Sequence, residues 1–539
     1  MGFKLNHKLN AAENKKWQTY SMSNEAQTIK SLSATEPSPT AESNGPGAEP
    51  NPTAESNGPG AEPTPTAEEL AGRNANRSRT PNSPEFIAYM GSGWADSAAD
   101  KNLNAAKQSA LAKAAPFAAA RRATLAQRFA GHTVVIAAGP MHTRSNDTEY
   151  RYRPHSAFAH LTGWGTHTVP DSVLVIDARM AHSKSILFLR PTAGKGSDEF
   201  FANNVIGEFW LGFRPSLAQV SATLGLETRD IKDLDAYLAA IPAEEKLSLE
   251  DPSVAEFCSE MRLKKDQFEI AEMQAAVDAT VAGFENVVRT LPSAIGHARG
   301  ERLVETAFFT KARELGNDIG YETIAAAGHH ACTLHWIIND GPILDGQLLL
   351  LDAGVEVDSL YTADVTRTMP VNGKFSHIQR LIYDAVLEAA DAVFAMAKPG
   401  VTYSKMHDTA MSVIAQKTAE WGFLPEGVTA EQSQEIDKQF HRRWMVHGTG
   451  HHLGLDVHDC AQARRSQYKD AVLEPGMIFT IEPGLYFHPD DLLVPEEFRG
   501  IGARIEDDVL VTETGVINLS GALPREASEI EAWMARLQG

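Results

Sequence analysis

"LLLLDAGVEVDSLYTADVTRT", residues 348–368, sets two aspartates, Asp352 and Asp364, twelve positions apart in strongly apolar text. The intervening "VEVDSLYTA" contains a hairpin turn, so the flanking runs read as adjacent antiparallel strands with both carboxylates facing the same way. A carboxylate buried alone costs several kcal/mol, on the order of what one mutation rarely recovers. These two have company: Glu482 in "FTIEPGLY" and Glu506 in "ARIEDDV" sit in similar strand-like surroundings, and "RIED" puts Glu506 on the same side of its strand as Arg504. Four such acids brought together repel and raise one another's pKa values. They therefore either share a cation or lie far apart.

Between the second and third of these acids runs "HGTGHHLGLDVHD", residues 447–459, with four histidines and three glycines. One imidazole added to four carboxylates makes an oxygen-rich set that suits Mn²⁺, Mg²⁺ or Co²⁺ better than a closed structural zinc site. Four acidic ligands are enough for two divalent ions, roughly 3.5–4 Å apart in dinuclear hydrolases, and water between two such ions becomes a nucleophile near neutral pH. Rival signatures are missing: the sequence has no HExxH and no GxSxG. The glycines of "GTGHHLG" fall at 448, 450 and 454, one residue too long for a dinucleotide fingerprint.

The rest of the chain bounds the answer. With 539 residues there is room for two or three domains. No run reaches the roughly 18 apolar residues of a membrane span, and the first twenty residues lack a signal peptide's apolar stretch, so a cytoplasmic location with no membrane partner is expected. Cys258, Cys332 and Cys460 are too few and too scattered for a disulfide framework. A net charge of −21 with no basic block argues against nucleic acid.

Residues 1–84 are expected to be an acidic leader: "PTAESNGPGAEP" occurs at 39–50 and again at 52–63, and seven glutamates with no basic residue lie between Lys30 and Arg73. Such text buries too little to fold. Met22, opening "MSNEAQTIK", offers an alternative start. Residues 85–255 read as an α/β domain, with strands at "HTVVIAAG", "SVLVID" and "SILFLR" and helices at "RDIKDLDAYLAAI" and along 253–291. Residues 256–539 form a second, α+β domain. Its strands are "QLLLLDAG", "ADVTRTMPV", "MIFTIEPGLYF" and "ARIEDDVLVT", and 380–400 is an amphipathic helix closed by Pro399 and Gly400.

Taken in chain order, "DAG…DVTRT…P", "HGTGHHLGLDVHD", "EPGLY" and "RIEDDVLVTETG" resemble the metallopeptidases of the pita-bread fold, and among them the Xaa-Pro aminopeptidases (aminopeptidase P), with prolidase a close relative. "DTEYRYRPHSAFAHLTGW" (147–164) is similar to that subfamily's N-terminal domain, and "EMRLKKDQFEIAEM" to its interdomain helix; the likeness covers about residues 115–535. The resemblance implies a fold, an α/β domain followed by an α+β pita-bread catalytic domain, and a dinuclear site. Asp352 would bind one metal, Asp364 and Glu506 both, and His451 and Glu482 the second, the metals most simply two Mn²⁺ with a bridging hydroxide as nucleophile. His447 would stabilise the tetrahedral intermediate, His458 would contact the substrate near the scissile bond, and His335 would line the pocket. Glu482 would also move the proton to the leaving nitrogen. Arg504 and Tyr321 match substrate-side and metal-shell positions, and Trp210 in "EFWLGF" an aromatic lent to a neighbouring subunit of a homodimer or homotetramer. His452 is expected to be structural, and His329 and His330 stand where relatives often carry a Glu-Asn-Gly type sequence. The substrates implied are peptides with proline second. A dipeptide-only prolidase and a non-catalytic pita-bread binding module are the alternatives.

Overall fold

Three β-branched runs build the first sheet. The structure, a computed structural model, describes residues 82–94, 105–146 and 148–539, so the acidic repeats and nearly all of the expected leader lie outside the described residues. Strands Thr133–Ala137, Val173–Asp177 and Lys184–Leu189 pair antiparallel; Lys246–Ser248 adds parallel to the first and Glu227–Asp230 parallel to the third. Leu125, Phe129, Phe158 and Leu161 from helices Ala105–Arg128 and Ser156–Thr162 and the turn after the first of them pack on Val134, Ile136, Leu174 and Ile176 of this sheet.

Two helical expectations change here. In "RDIKDLDAYLAAI" the first two residues complete the edge strand Glu227–Asp230, because pairing with Ile186–Leu189 satisfies their backbone groups. Asp230 then caps a 3-10 turn, accepting from the Lys232 amide at 3.0 Å, and the α-helix covers only Leu234–Ala239. The stretch 253–291 is two helices, Pro252–Met261 and Gln267–Ala294. Asp266 starts the second with a capping box: its Oδ1 accepts from the Phe268 and Glu269 amides, and Glu269 Oε2 accepts from the Asp266 amide at 2.8 Å. Between them Arg262 turns inward to pair with buried Asp459, and the Lys265 ammonium, also buried, donates to the Arg262 carbonyl at 3.1 Å.

In the second half, Leu348–Ala353 is the centre of a three-stranded antiparallel sheet between Ile324–Ala327 and Val365–Pro370. The register pairs Asp352 with Thr366, so Asp364, two residues earlier, faces the same side, as the hairpin reading expects. Gly354 is required by the closeness of this hairpin: a Cβ there would stand 1.7 Å from the Ala363 carbonyl oxygen.

"MIFTIEPGLYF" and "ARIEDDVLVT" each break into two strands rather than one. Ile478–Ile481 pairs with Asp507–Val511, whereas Gly484–Phe487 pairs with Ile501–Arg504 in a separate ribbon. The switch of sheet falls at Glu482–Pro483 and at Ile505–Glu506. Proline has no amide to continue a ladder, and Glu506 makes its own isolated bridge to Thr366. Both acids therefore sit where strands cross between sheets.

Helices Gln267–Ala294, Gly300–Leu315, His377–Met396, Ser404–Glu420 and Ala527–Gln538 surround this core. His377–Met396 is amphipathic as its periodicity predicts, opened by a Ser376/Gln379 capping box and burying Ile382, Tyr383, Val386, Ala390 and Val393. Fully burying side chains of this size contributes about 1.5–3 kcal/mol each. No helix among the described residues is long and apolar enough to cross a membrane.

Residues 82–94 and 192–213 belong to a second compact unit. Its short helices Pro84–Met90, Asp198–Ala202 and Glu208–Leu211 are tied by Phe86 set edge-on to Phe201 and Trp94 to Phe200. Trp210 lies on the last of these, more than half exposed, with its indole donating to the Phe201 carbonyl at 2.7 Å.

Candidate metal centre

Asp352 and Asp364 meet through a phenol. The Tyr321 hydroxyl lies 2.6 Å from Asp352 Oδ1 and also touches Asp364 Oδ1. Burial first, then Asp352 and Asp364, push this phenol well above its ordinary pKa, so it stays protonated and donates. Asp364, His451 and Glu506 are all buried and each offers a donor atom within 4.8 Å of the others. His451 Nε2 stands 2.9 Å from Asp364 Oδ2, 3.6 Å from Glu506 Oε1 and 3.8 Å from Glu482 Oε1. The five residues expected as ligands thus converge on one place, from the hairpin, the glycine-rich loop and the two strand-switch points.

The cluster carries more negative charge than its neighbours offset. Burial, then Asp352, raise Asp364 well above the usual carboxylate range; burial, then Asp364 and Asp352, do the same to Glu506. The counter-charge is Arg504, whose guanidinium pairs with Asp352 Oδ2. It also donates to Thr366 Oγ1 at 3.1 Å and to the Tyr486 hydroxyl at 3.0 Å. Thr366 in turn donates to Glu506 Oε2 at 2.7 Å. This network holds Arg504 and Glu506 on the same side, as "RIED" predicts.

The loop 447–459 brings its imidazoles to different tasks. Gly450 lies so close to the next strand that a Cβ would stand 2.2 Å from the Thr480 carbonyl oxygen, which draws the loop onto that strand. Backbone bonds Thr480 N–H to His451 O and Glu482 N–H to Thr449 O, at 2.6 and 2.8 Å, fix His451 beside Glu482. His452 is fully buried and stacked on Tyr403 at 4.3 Å, a structural role. His458 is exposed, with its ring edge-on to His451 at 4.5 Å. His447 is held at both nitrogens: Nδ1 lies 2.7 Å from the Gly448 carbonyl and therefore bears a proton, and Nε2 lies 2.7 Å from the Tyr486 hydroxyl and accepts from it. Burial, then Arg504, push this imidazole down to about 3, so it is neutral. Donating to an oxyanion requires Nε2 to leave Tyr486 and to carry a proton.

His335 is exposed on the segment 328–341, close enough to His447 to bear on its charge. That segment hangs from Glu301, which sequence reasoning passed over. The fully buried Glu301 carboxylate accepts from the Ala327 amide (2.8 Å), His330 Nδ1 (2.7 Å), the Trp336 indole (3.0 Å) and the Gly341 amide (2.7 Å). His330 also stacks on Trp336 at 3.8 Å. Tyr486 was also missed, although "EPGLY" contains it. So was Arg367 of "DVTRT", fully buried and donating to the Glu506 carbonyl at 2.7 Å and Asp507 at 2.6 Å. Trp210 belongs to the second compact unit.

Buried carboxylates closed by one imidazole and opening on further histidines define the centre of a metal-dependent hydrolase. Residues 271–513 match metallopeptidase family M24, and residues 118–248 match the aminopeptidase P N-terminal domain. The chain is 47% identical over 474 residues to Xaa-Pro aminopeptidase 1 of Streptomyces coelicolor, covering 85% of this chain and 93% of that protein. With Xaa-Pro aminopeptidase 2 of the same organism it shares 46% over 487 residues, 87% of this chain and all (100%) of the relative. Aminopeptidase P from E. coli, solved with the inhibitor Pro-Leu, superposes with a TM-score of 0.69 at 30% identity, over 79% of this chain and 99% of that one. The chain belongs to the Xaa-Pro aminopeptidases of family M24, with an aminopeptidase P N-terminal domain and a pita-bread catalytic domain. It is a metallopeptidase that depends on divalent metal ions and acts on peptides.

Proposed function

We propose that the chain removes the first residue from peptides whose second residue is proline, using two divalent metal ions, most simply Mn²⁺. The observation that carries this reading is the meeting of Asp364, His451 and Glu506 within 4.8 Å, flanked by Asp352 and Glu482. Four carboxylates and one imidazole, with Arg504 offsetting a single charge, fit two hard divalent cations. Asp352 would hold one, Asp364 and Glu506 both, and His451 and Glu482 the other. When bound, the pair supplies Lewis acidity to the scissile carbonyl and lowers the pKa of a water so that it attacks as hydroxide.

The remaining chemistry belongs to the chain. An Xaa-Pro bond lacks an amide hydrogen and leaves as a secondary amine, so a proton has to be delivered to the proline nitrogen. Glu482, only partly buried, takes the proton of the attacking water and passes it on. His447, His458 and His335 supply donors around the reacting carbonyl and the proline ring. Tyr321 and Arg504 orient Asp352 and Asp364.

Residues 85–255 and 256–539 form the two domains of this reading, and the acidic repeats lie outside the described residues. The chain works in the cytoplasm as a homodimer or homotetramer; the exposed apolar surface of Val205, Phe209, Trp210 and Leu211 supports the self-association. Strip the protein with chelator, reload it with Mn²⁺, and offer Ala-Pro, Ala-Pro-Ala and Ala-Ala-Ala. Alanine released from Ala-Pro-Ala but not from Ala-Ala-Ala, and only with metal, is the expected result. Cleavage of Ala-Pro alone would make the chain a dipeptidase.

A further inference from the structure

Arg153 lies in "YRYRPHS", residues 150–156, in the α/β part of the chain. It adds no atom to the acid–imidazole cluster, yet its guanidinium ends on both elements that carry the cluster. Nε donates to Glu356 Oε2 at 2.6 Å. Glu356 follows Asp352 by four residues on the strand Val355–Glu356. It is nearly fully buried and steadied by Asn317, whose side-chain amide donates to Oε1 and whose backbone amide donates to the Glu356 carbonyl, both at 2.8 Å.

The other arm of the guanidinium reaches the glycine-rich loop. Nη2 donates to the Leu455 carbonyl, and Nη1 pairs with Asp456 Oδ1 at 3.0 Å and donates to Ser156 Oγ at 3.2 Å. Ser156 Oγ donates to the same Asp456 oxygen at 2.6 Å. Leu455 and Asp456 lie between His451 and His458, and a cavity of about 400 Å³ against this junction is lined by Arg153, Ser156, Asp456 and His458 among others. A planar five-donor fork meets two carboxylates and a carbonyl at fixed angles, which a flexible ammonium does not reproduce.

We propose that Arg153 is a positioning residue for the metal centre, fixing the spacing between the hairpin that bears Asp352 and Asp364 and the loop that bears His451 and His458. The α/β part of the chain thereby takes a direct part in assembling the site. This rests on the metal-dependent reading above, so the test includes a readout that needs no turnover. About a third of the Arg153 side chain is exposed, 34%, so dissolved guanidinium can reach the place an alanine would vacate.

The experiment is Mn²⁺ titration by calorimetry on chelator-stripped wild type, Arg153→Ala and Arg153→Lys, with kcat and KM on Ala-Pro-Ala alongside. Arg153→Ala should bind Mn²⁺ about tenfold or more weakly and lose about 10²-fold, chiefly in kcat. Millimolar guanidinium, far below denaturing concentrations, restores part of both, and Arg153→Lys falls between the two. Mn²⁺ affinity equal to wild type in folded Arg153→Ala, or a loss that guanidinium leaves unchanged, overturns the proposal. Should Arg153→Ala not accumulate as folded protein, Glu356→Gln decides: weakened Mn²⁺ binding supports the coupling, and wild-type binding overturns it. If wild type cleaves none of the peptides, the functional reading fails while the Mn²⁺ arm still judges Arg153.

Discussion

Tyr321 and Asp352 are joined by a 2.6 Å hydrogen bond, and the same phenol touches Asp364. One proton thus serves two carboxylates from adjacent strands. Tyr321→Phe removes it without changing the ring's packing. We expect the variant to fold and to bind Mn²⁺, and to lose about 10–100-fold in metal affinity or in kcat/KM, the usual cost of an outer-shell partner. Thermal melts and steady-state kinetics on one preparation check this; full activity would place the hydroxyl outside the working site.

Arg504 is the cation set against the acids of the cluster. Its pairing with Asp352 is buried, and removing one partner strands a charge at a cost of about 3–5 kcal/mol. Arg504→Met should therefore be markedly destabilised in chelator, and Mn²⁺ should restore much of the loss by supplying positive charge to the same acids. Urea melts with and without metal measure the difference. Equal destabilisation in both conditions would mean that the metal does not reach Asp352.

Acid stability follows from histidines away from the cluster. His160 is buried and pushed well below its ordinary value by burial, then by Arg121; burial lowers His441 too. The unfolded chain takes up protons at about pH 6.5 that these native imidazoles refuse. Their contribution is therefore fully present above about pH 6.5 and is lost as the pH falls toward the depressed native values, at up to about 1.4 kcal/mol per pH unit for each. Unfolding free energies between pH 7.5 and 5 should show this slope, and His160→Gln should make it shallower.

Glu301→Gln tests the rim that carries His335. The carboxylate's four donors include two backbone amides and His330, and an amide accepts at one end only. Leaving buried donors unmet costs about 1–3 kcal/mol each. The variant should melt lower and show a raised KM for Ala-Pro-Ala with a smaller change in kcat. An unchanged KM would separate the rim from substrate binding.

How much of this the sequence disclosed depends on what kind of interaction holds each piece. The Asp352/Asp364 hairpin was legible because period-two text and a turn fix which way side chains face. The two later acids were legible as residues, and Glu506 as sharing a side with Arg504, but the bends that carry them were not. Reading "FTIEPGLY" and "ARIEDDV" as continuous strands hid the change of sheet at Pro483 and Ile505, which depends on partners distant in the chain. The break at Arg262–Asp266 was masked for a similar reason. Its apolar rhythm continues through the interruption, whereas the interruption itself is set by the Arg262–Asp459 pair, 197 residues apart. Tyr486, Glu301 and Arg367 escaped notice because each works through hydrogen bonds to backbone or to other polar groups, which leave no periodic trace.

Asp352, Asp364, His451, Glu482 and Glu506 are proposed together to hold two metal ions. Mass spectrometry of protein saturated with Mn²⁺ and then freed of excess counts them. Two Mn²⁺ per wild-type chain are expected, and fewer than two for Glu506→Gln, which would lose an acid proposed to serve both ions. A wild-type chain that retains no Mn²⁺, or a Glu506→Gln variant that retains the full complement, would contradict that proposal.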